Sequence, residues 1–276
     1  MNTSAAIDLQ PFHIQRPEKI RWMYDICAPT IESTLHSQTL LKVFEHVDEL
    51  IEKYQVNYEH LILDEKIYQA WWQHYYDVTT QKKYDVIAPK EWLSLKHKEG
   101  KIVGGFFFFH QDKNVGSLLY TKKDNYVIAA FKTSSEVPGL SKKHRSLGAI
   151  IDYIFLRSML PQKPEKLSLG SMRNAYGVFN SIGNLEFKLS MGYLPIVKED
   201  TSLLESVPVQ DSGRVVFFGI YKGTLQLFCF KPEGDEHIFD IERFKNDTMT
   251  VTIIHIKSNL CTTSPSGSTK FSNQRV

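Results

Sequence analysis

The chain has 276 residues, 42% of them hydrophobic and 12% aromatic, enough for a sizeable core, which excludes global disorder. Its 33 basic and 31 acidic residues leave a formal net charge of +2, so the footprint of a bulk nucleic-acid binder is missing. The three cysteines, Cys27, Cys229 and Cys261, lie far apart and form no CxxC pair. That argues against a disulfide framework or a zinc site and fits a reducing compartment. Residues 1–15 carry no basic segment followed by an apolar run. The longest apolar run, around Val103 to Phe109, is far short of the roughly 20 residues a membrane helix needs. The expectation is a cytoplasmic protein with no membrane partner.

Residues 1–58 read as a mostly helical N-terminal extension, because Leu41, Phe44, Val47, Leu50, Ile51 and Tyr54 recur at helical spacing between Glu45, Asp48, Glu49 and Lys53. Residues 60–64 form a short apolar strand. Asp64 then caps a helix from Lys66 to about Asp77, whose Trp71, Trp72, Tyr75 and Tyr76 serve core and rim. Residues 91–97 read as a strand before a turn at Glu99-Gly100. Residues 101–110, with four consecutive phenylalanines, read as a strand apolar on both faces and therefore central to a covered sheet. Two more strands, 117–122 and 126–133, flank a turn at Lys123-Asp124-Asn125.

At Leu147 the period changes. Leu147, Ile150, Ile151, Ile154, Phe155 and Met159 keep helical spacing until Pro161 and Pro164. A strand at 166–169, a helix near 185–191, a strand at 194–197, a hairpin at 215–221 and 224–230 around Lys222-Gly223, and a last strand at 249–256 complete the order. The hairpin either completes the sheet or pairs with another chain, as in a homodimer. Turn-linked strands should be antiparallel and helix-linked strands parallel. The expected fold is therefore α/β (α+β), a mixed sheet flanked by helices, in a domain over 59–257. The Ser/Thr-rich residues 258–276 read as a disordered tail.

Two segments carry candidate chemistry. The first, Ser141-Lys142-Lys143-His144-Arg145-Ser146-Leu147-Gly148-Ala149, opens the apolar helix. Its fixed cations oppose the helix dipole unless a polyanion binds the free amides there. A solvated basic loop is the equal alternative. The second runs from Leu169-Gly170-Ser171 through Asn174, Tyr176, Gly177, Asn180 and Gly183 to Phe187-Lys188-Leu189-Ser190-Met191-Gly192. It lies past the carboxyl end of a buried strand, where open α/β sheets bind ligands; an ordinary loop whose glycines serve turns is the alternative. The ten histidines show no HExxH or HxxxH spacing, and neither GxSxG nor a P-loop motif occurs. No metal is expected. Asp235, Glu236, Asp240 and Glu242 read as a solvated acidic face.

From Lys101 to Pro195 the chain resembles the GNAT acyltransferase superfamily, nearest the branch with the Fem-type peptidyltransferases. The pieces are Lys101-Ile102-Val103-Gly104-Gly105, Arg145-Ser146-Leu147-Gly148, Leu169-Gly170-Ser171 and Phe187 to Gly192. Ile150 stands where the family's phosphate motif ends in a small residue, and Lys188 where many members carry a tyrosine acid. The resemblance implies that acetyl-CoA or another acyl-CoA lies between two splayed parallel strands, 126–133 and 166–169. Lys143, Arg145, Ser146, Leu147, Gly148 and Ala149 would hold its pyrophosphate. Ser171, Asn174 and Asn180 would line the acceptor site, and Lys188 and Tyr176 would serve catalysis, with Tyr193 an alternative acid. The implied activity is direct transfer of an acyl group to the amine of a small-molecule or amino-acid-like acceptor. A Fem-like transferase using aminoacyl-tRNA and a non-catalytic binding module are the alternatives.

Overall fold

A computed structural model describes residues 6–82, 85–140, 146–210, 213–235 and 249–256. Within them the chain forms β1 (Ala6–Asp8), β2 (Arg16–Pro17), β3 (Lys19–Tyr24), α1 (Gln38–Glu45), α2 (Val47–Lys53), β4 (Val56–Ile62), α3 (Glu65–Gln81) and α4 (Trp92–Lys98). Next come β5 (Ile102–His110), β6 (Lys113–Lys123), β7 (Tyr126–Ser134), α5 (Leu147–Met159), β8 (Lys166–Arg173), α6 (Ile182–Ser190) and β9 (Leu194–Val197). The last are β10 (Leu203–Leu204), β11 (Ser206–Pro208), β12 (Val215–Tyr221), β13 (Thr224–Pro232) and β14 (Val251–Ile256). This is the mixed α/β class expected from the sequence. Among the described residues two compact units emerge, one drawn from 22–170 with 190–194, the other from 6–21, 171–189 and 195–256.

The larger unit is built on an open sheet of strand order β4-β5-β6-β7-β8-β3-β9, of which β8, β3 and β9 each run on into the other unit's residues. The turn-linked strands β4 to β7 pair antiparallel and the helix-linked β7 and β8 parallel, as the connections require. The phenylalanine run of β5 is buried on both faces. Phe107 packs with Trp71, Tyr75 and Trp92 from α3 and α4, and Phe106 meets Phe155 of α5 edge-on at 6.1 Å. Gly104 makes room on the α5 side, because a Cβ there would lie 2.4 Å from the Tyr120 ring. Asp64 caps α3 by accepting from the Ile67 amide at 2.8 Å.

Three expectations are corrected. Residues 1–58 are not mostly helical: β1, β2, β3 and the first residues of β4 lie among them. In β3, Ile20, Trp22 and Tyr24 are buried and the residues between only partly so, an alternation of period two. The single helix expected over 41–54 is two, because the chain breaks at His46 (φ −117°), and Arg157 of α5 holds the second by a two-pronged pair with Asp48 at 2.8 and 2.9 Å. Residues 92–98 are helix α4, not a strand. The buried pair is the adjacent Trp92 and Leu93, which share a helix face but would lie on opposite faces of a strand.

In the smaller unit, β12 and β13 form the expected hairpin, with Lys222 and Gly223 both at positive φ (50° and 78°) as a two-residue turn demands. The strand β14 adds parallel to β13. Ile7, Leu9 and Ile14 from the amino terminus pack with Phe217, Phe228 and Phe230.

Candidate active site

In the larger unit, β7 and β8 pair over only three rungs, Tyr126–Lys166, Val127–Leu167 and Ile128–Ser168. Both strands continue beyond that point, β7 to Ser134 and β8 to Arg173. Two devices mark the parting. Opposite β6 the register slips, Leu119 facing Phe131 and Tyr120 facing Ala129, so Ala130 is the extra residue of a β-bulge. On β8, Gly170 has φ +74°, and a Cβ there would sit 2.9 Å from the Ala129 carbonyl oxygen. Buried Ser168 fixes the approach, accepting from the Gly170 amide at 3.1 Å and donating to the Trp22 carbonyl at 3.0 Å.

Helix α5 starts beside this stretch of β7. Ser146 is its N-cap, the hydroxyl accepting from the Ala149 amide at 3.3 Å. Nothing inside the helix can accept from the amides of Leu147 and Gly148, which belong to the first turn. Among the described residues, a Cβ on Gly148 would find only the hydroxyls of Ser134, 3.4 Å away, and Ser146. Lys132 of β7 donates to the Gly148 carbonyl at 3.3 Å and pairs with Asp152, one turn further along α5.

Tyr193 is buried in the same unit, its ring edge-on to Tyr24 at 5.8 Å. Burial first, then the negative charge of Asp152, hold its hydroxyl protonated well above the ordinary tyrosine range. Burial likewise raises Tyr24, whose hydroxyl shares a 3.0 Å hydrogen bond with Thr34. Gly192 is obligatory before Tyr193: it has φ +76°, and a Cβ would fall 2.2 Å from the Thr34 carbonyl oxygen.

Of the residues singled out in the sequence, Ser146, Leu147, Gly148 and Ala149 come together in one helical turn. Lys143 and Arg145 lie outside the described residues, as do Glu236, Asp240 and Glu242 and the tail 258–276. Ser171, Asn174, Tyr176, Asn180 and Lys188 belong to the smaller unit. Ser171 is exposed. Asn174 is fully buried and its amide is spent on backbone: Nδ2 donates to Pro17 and Phe218 carbonyls at 2.8 and 2.6 Å, and Oδ1 accepts from the Phe218 amide at 2.8 Å. Tyr176 is buried with its hydroxyl on the Met172 sulfur at 3.2 Å. Asn180 closes a loop by donating to the Arg173 carbonyl at 2.6 Å. Lys188 is buried in the last turn of α6. Sequence reasoning missed Lys132 and Asp152. The available signal was a carboxylate inside an otherwise apolar helix.

No family model and no curated protein matches the chain. Similar solved structures include a conserved protein of unknown function from Bacteroides thetaiotaomicron (12% identity, 71% of this chain and 64% of that one, TM-score 0.44). FemX is another (7% identity, 66% and 60%, TM-score 0.48), as is L-PGS from Bacillus licheniformis (9% identity, 69% and 64%, TM-score 0.43). This chain thus spans less than two thirds of the length of each. Among the described residues no helix is long and apolar enough to cross a membrane, and no three His, Cys, Asp or Glu side chains gather as metal ligands.

Proposed function

We propose that the protein is an N-acyltransferase that binds an acyl-CoA donor where β7 and β8 part and passes the acyl group to the amine of a small acceptor. The observation that carries this reading is the three-rung pairing of β7 with β8, next to a helix start whose Leu147 and Gly148 amides have no acceptor within the helix. A parallel pair that separates while both strands continue leaves main-chain N–H and C=O groups for an extended, amide-containing ligand. A helix start with a small residue at its second position suits a pyrophosphate. The residues present fit the group. Gly148 leaves its backbone open, Ser134 and Ser146 add hydroxyls, and Lys132 adds a cation.

The donor supplies a thioester carbonyl. The acceptor nitrogen bonds to that carbon, the carbon–sulfur bond breaks, and the proton lost by the amine ends on the leaving thiol. The chain's part is to orient the two reactants and keep donors facing the carbonyl oxygen, contributions worth several kcal/mol in acyl transfer generally. In this reading Lys143 and Arg145 extend the phosphate site.

Calorimetric titration with acetyl-CoA and free CoA tests the reading. Micromolar binding of both, weakened in Arg145→Glu, is expected. Absence of binding to either by the folded wild-type chain would refute it and make salt-dependent tRNA binding the next measurement.

A further inference from the structure

We propose that Lys132 is a donor-positioning residue, turned toward α5 by the bulge at Ala130 and oriented there by Asp152 so that its ammonium meets the anionic part of the ligand. The proposal rests on the reading of this site as a donor site.

Successive side chains on a strand alternate faces. On β6, Tyr120 faces α5, its ring 6.0 Å from that of Phe155, and Leu119 faces the aromatic core of α3 and α4. Their partners on β7 are Ala129 and Phe131, and Lys132 is paired with Leu118 on the α5 side. Ala129 and Lys132 thus share a face although they are three residues apart. An unbroken strand from Ala129 would turn Phe131 to α5 and put Lys132 among Trp71, Tyr75 and Trp92. The one inserted residue reverses that, keeping Phe131 in the aromatic core at 5.0 Å from Trp92 and delivering the lysine to the first turns of α5.

The carboxylate there is costly. Residues 149–156 of α5 are all buried, and Asp152 is the only charge among them. A buried carboxylate requires a partner, and Lys132 is one. The pair is asymmetric: the aspartate side chain is 3% exposed, the lysine 35%. Its negative end lies in the protein and its positive end at the surface, and the Gly148 carbonyl is the ammonium's second anchor. An ion pair that only tied β7 to α5 would have no need of this polarity. A fixed ammonium beside first-turn amides is suited to a phosphate or pyrophosphate oxygen.

The test is calorimetry with two probes, CoA and inorganic tripolyphosphate, at low ionic strength. Lys132→Met alone strands the Asp152 charge and threatens folding. The decisive variant is therefore Lys132→Met with Asp152→Leu, in which both charges leave together, a replacement that buried pairs tolerate. Affinity for CoA is expected to fall about tenfold or more on losing one charge-assisted contact, with the melting temperature kept, and Lys132→Arg should retain most of it. In the wild-type chain, saturating CoA should slow reductive methylation of Lys132. A folded double variant that binds CoA as wild type does, or a Lys132 that CoA fails to protect, overturns the proposal and leaves the acyl-CoA reading standing. Binding of tripolyphosphate but not CoA, lost in the double variant, keeps the role of Lys132 and sinks the acyl-CoA reading. Binding of neither probe overturns both.

Discussion

Replacing Asn174 by alanine removes the whole of a buried clamp. The side chain holds three main-chain groups, the carbonyls of Pro17 and Phe218 and the amide of Phe218, at 2.6 to 2.8 Å, and no part of the residue reaches solvent. Each group left buried without a partner costs about 1–3 kcal/mol, so Asn174→Ala should lose about 3–9 kcal/mol, a large share of the ~5–15 kcal/mol of a typical domain. Asn174→Asp should be as damaging at neutral pH, because a carboxylate accepts from the Phe218 amide but has nothing to donate to the two carbonyls. Guanidinium unfolding of wild type and both variants measures this. A loss under about 1 kcal/mol in Asn174→Ala would refute the clamp. Retained stability with lost acceptor binding would instead give Asn174 the ligand role that its place after β8 suggested.

Gly170→Ala puts a Cβ against the Ala129 carbonyl in a left-handed conformation, so stability should fall by about 1–2 kcal/mol or more and CoA binding should weaken with it. Gly183→Ala is the contrasting change: nothing lies within 4 Å of its Cβ position in α6, and thermal melting should show a gain of about 0.5–1 kcal/mol. Lys188→Met is near-isosteric at a buried site, and it should lower kcat while sparing CoA affinity. An unchanged kcat removes Lys188 from catalysis. Burial lowers the pKa of His60 and of His74 below the ordinary 6.5. Their contribution to stability is therefore present above that pH and is lost as pH falls toward the depressed folded values. Urea midpoints between pH 7 and 5 should fall less steeply in His74→Phe than in wild type, and equal slopes would contradict the assignment.

The elements that burial alone dictates were legible in the sequence. The α5 pattern from Leu147 to Met159 is unambiguous in period and bounded by proline. Where adjacent apolar residues fit two periods, as at Trp92-Leu93, only packing against the aromatic core decides. The amino-terminal strands were hidden for a different reason. The strands β1 and β2 are three and two residues long, and their partners lie some 190 to 200 residues away in β11 and β10, so no local signal announces them; the alternation of β3 was the one signal there to read.

The site divides along the same line. A helix start can be read from a basic, serine- and glycine-bearing segment because capping is local, and Ser146 caps α5 as such a segment permits. The orientation of Lys132 cannot, because a bulge is a property of pairing between two strands and leaves no mark in either alone. Read as an ordinary strand, residues 126–133 turn Lys132 to the aromatic face, which no lysine could occupy cheaply. Asp152 presents the same difficulty from the other side, a carboxylate in an apolar helix face. Each residue alone looks like an error of pattern, and the inserted Ala130 resolves both by bringing them together. Where two local violations are cured by one irregularity of the backbone, the arrangement costs less than either charge buried alone.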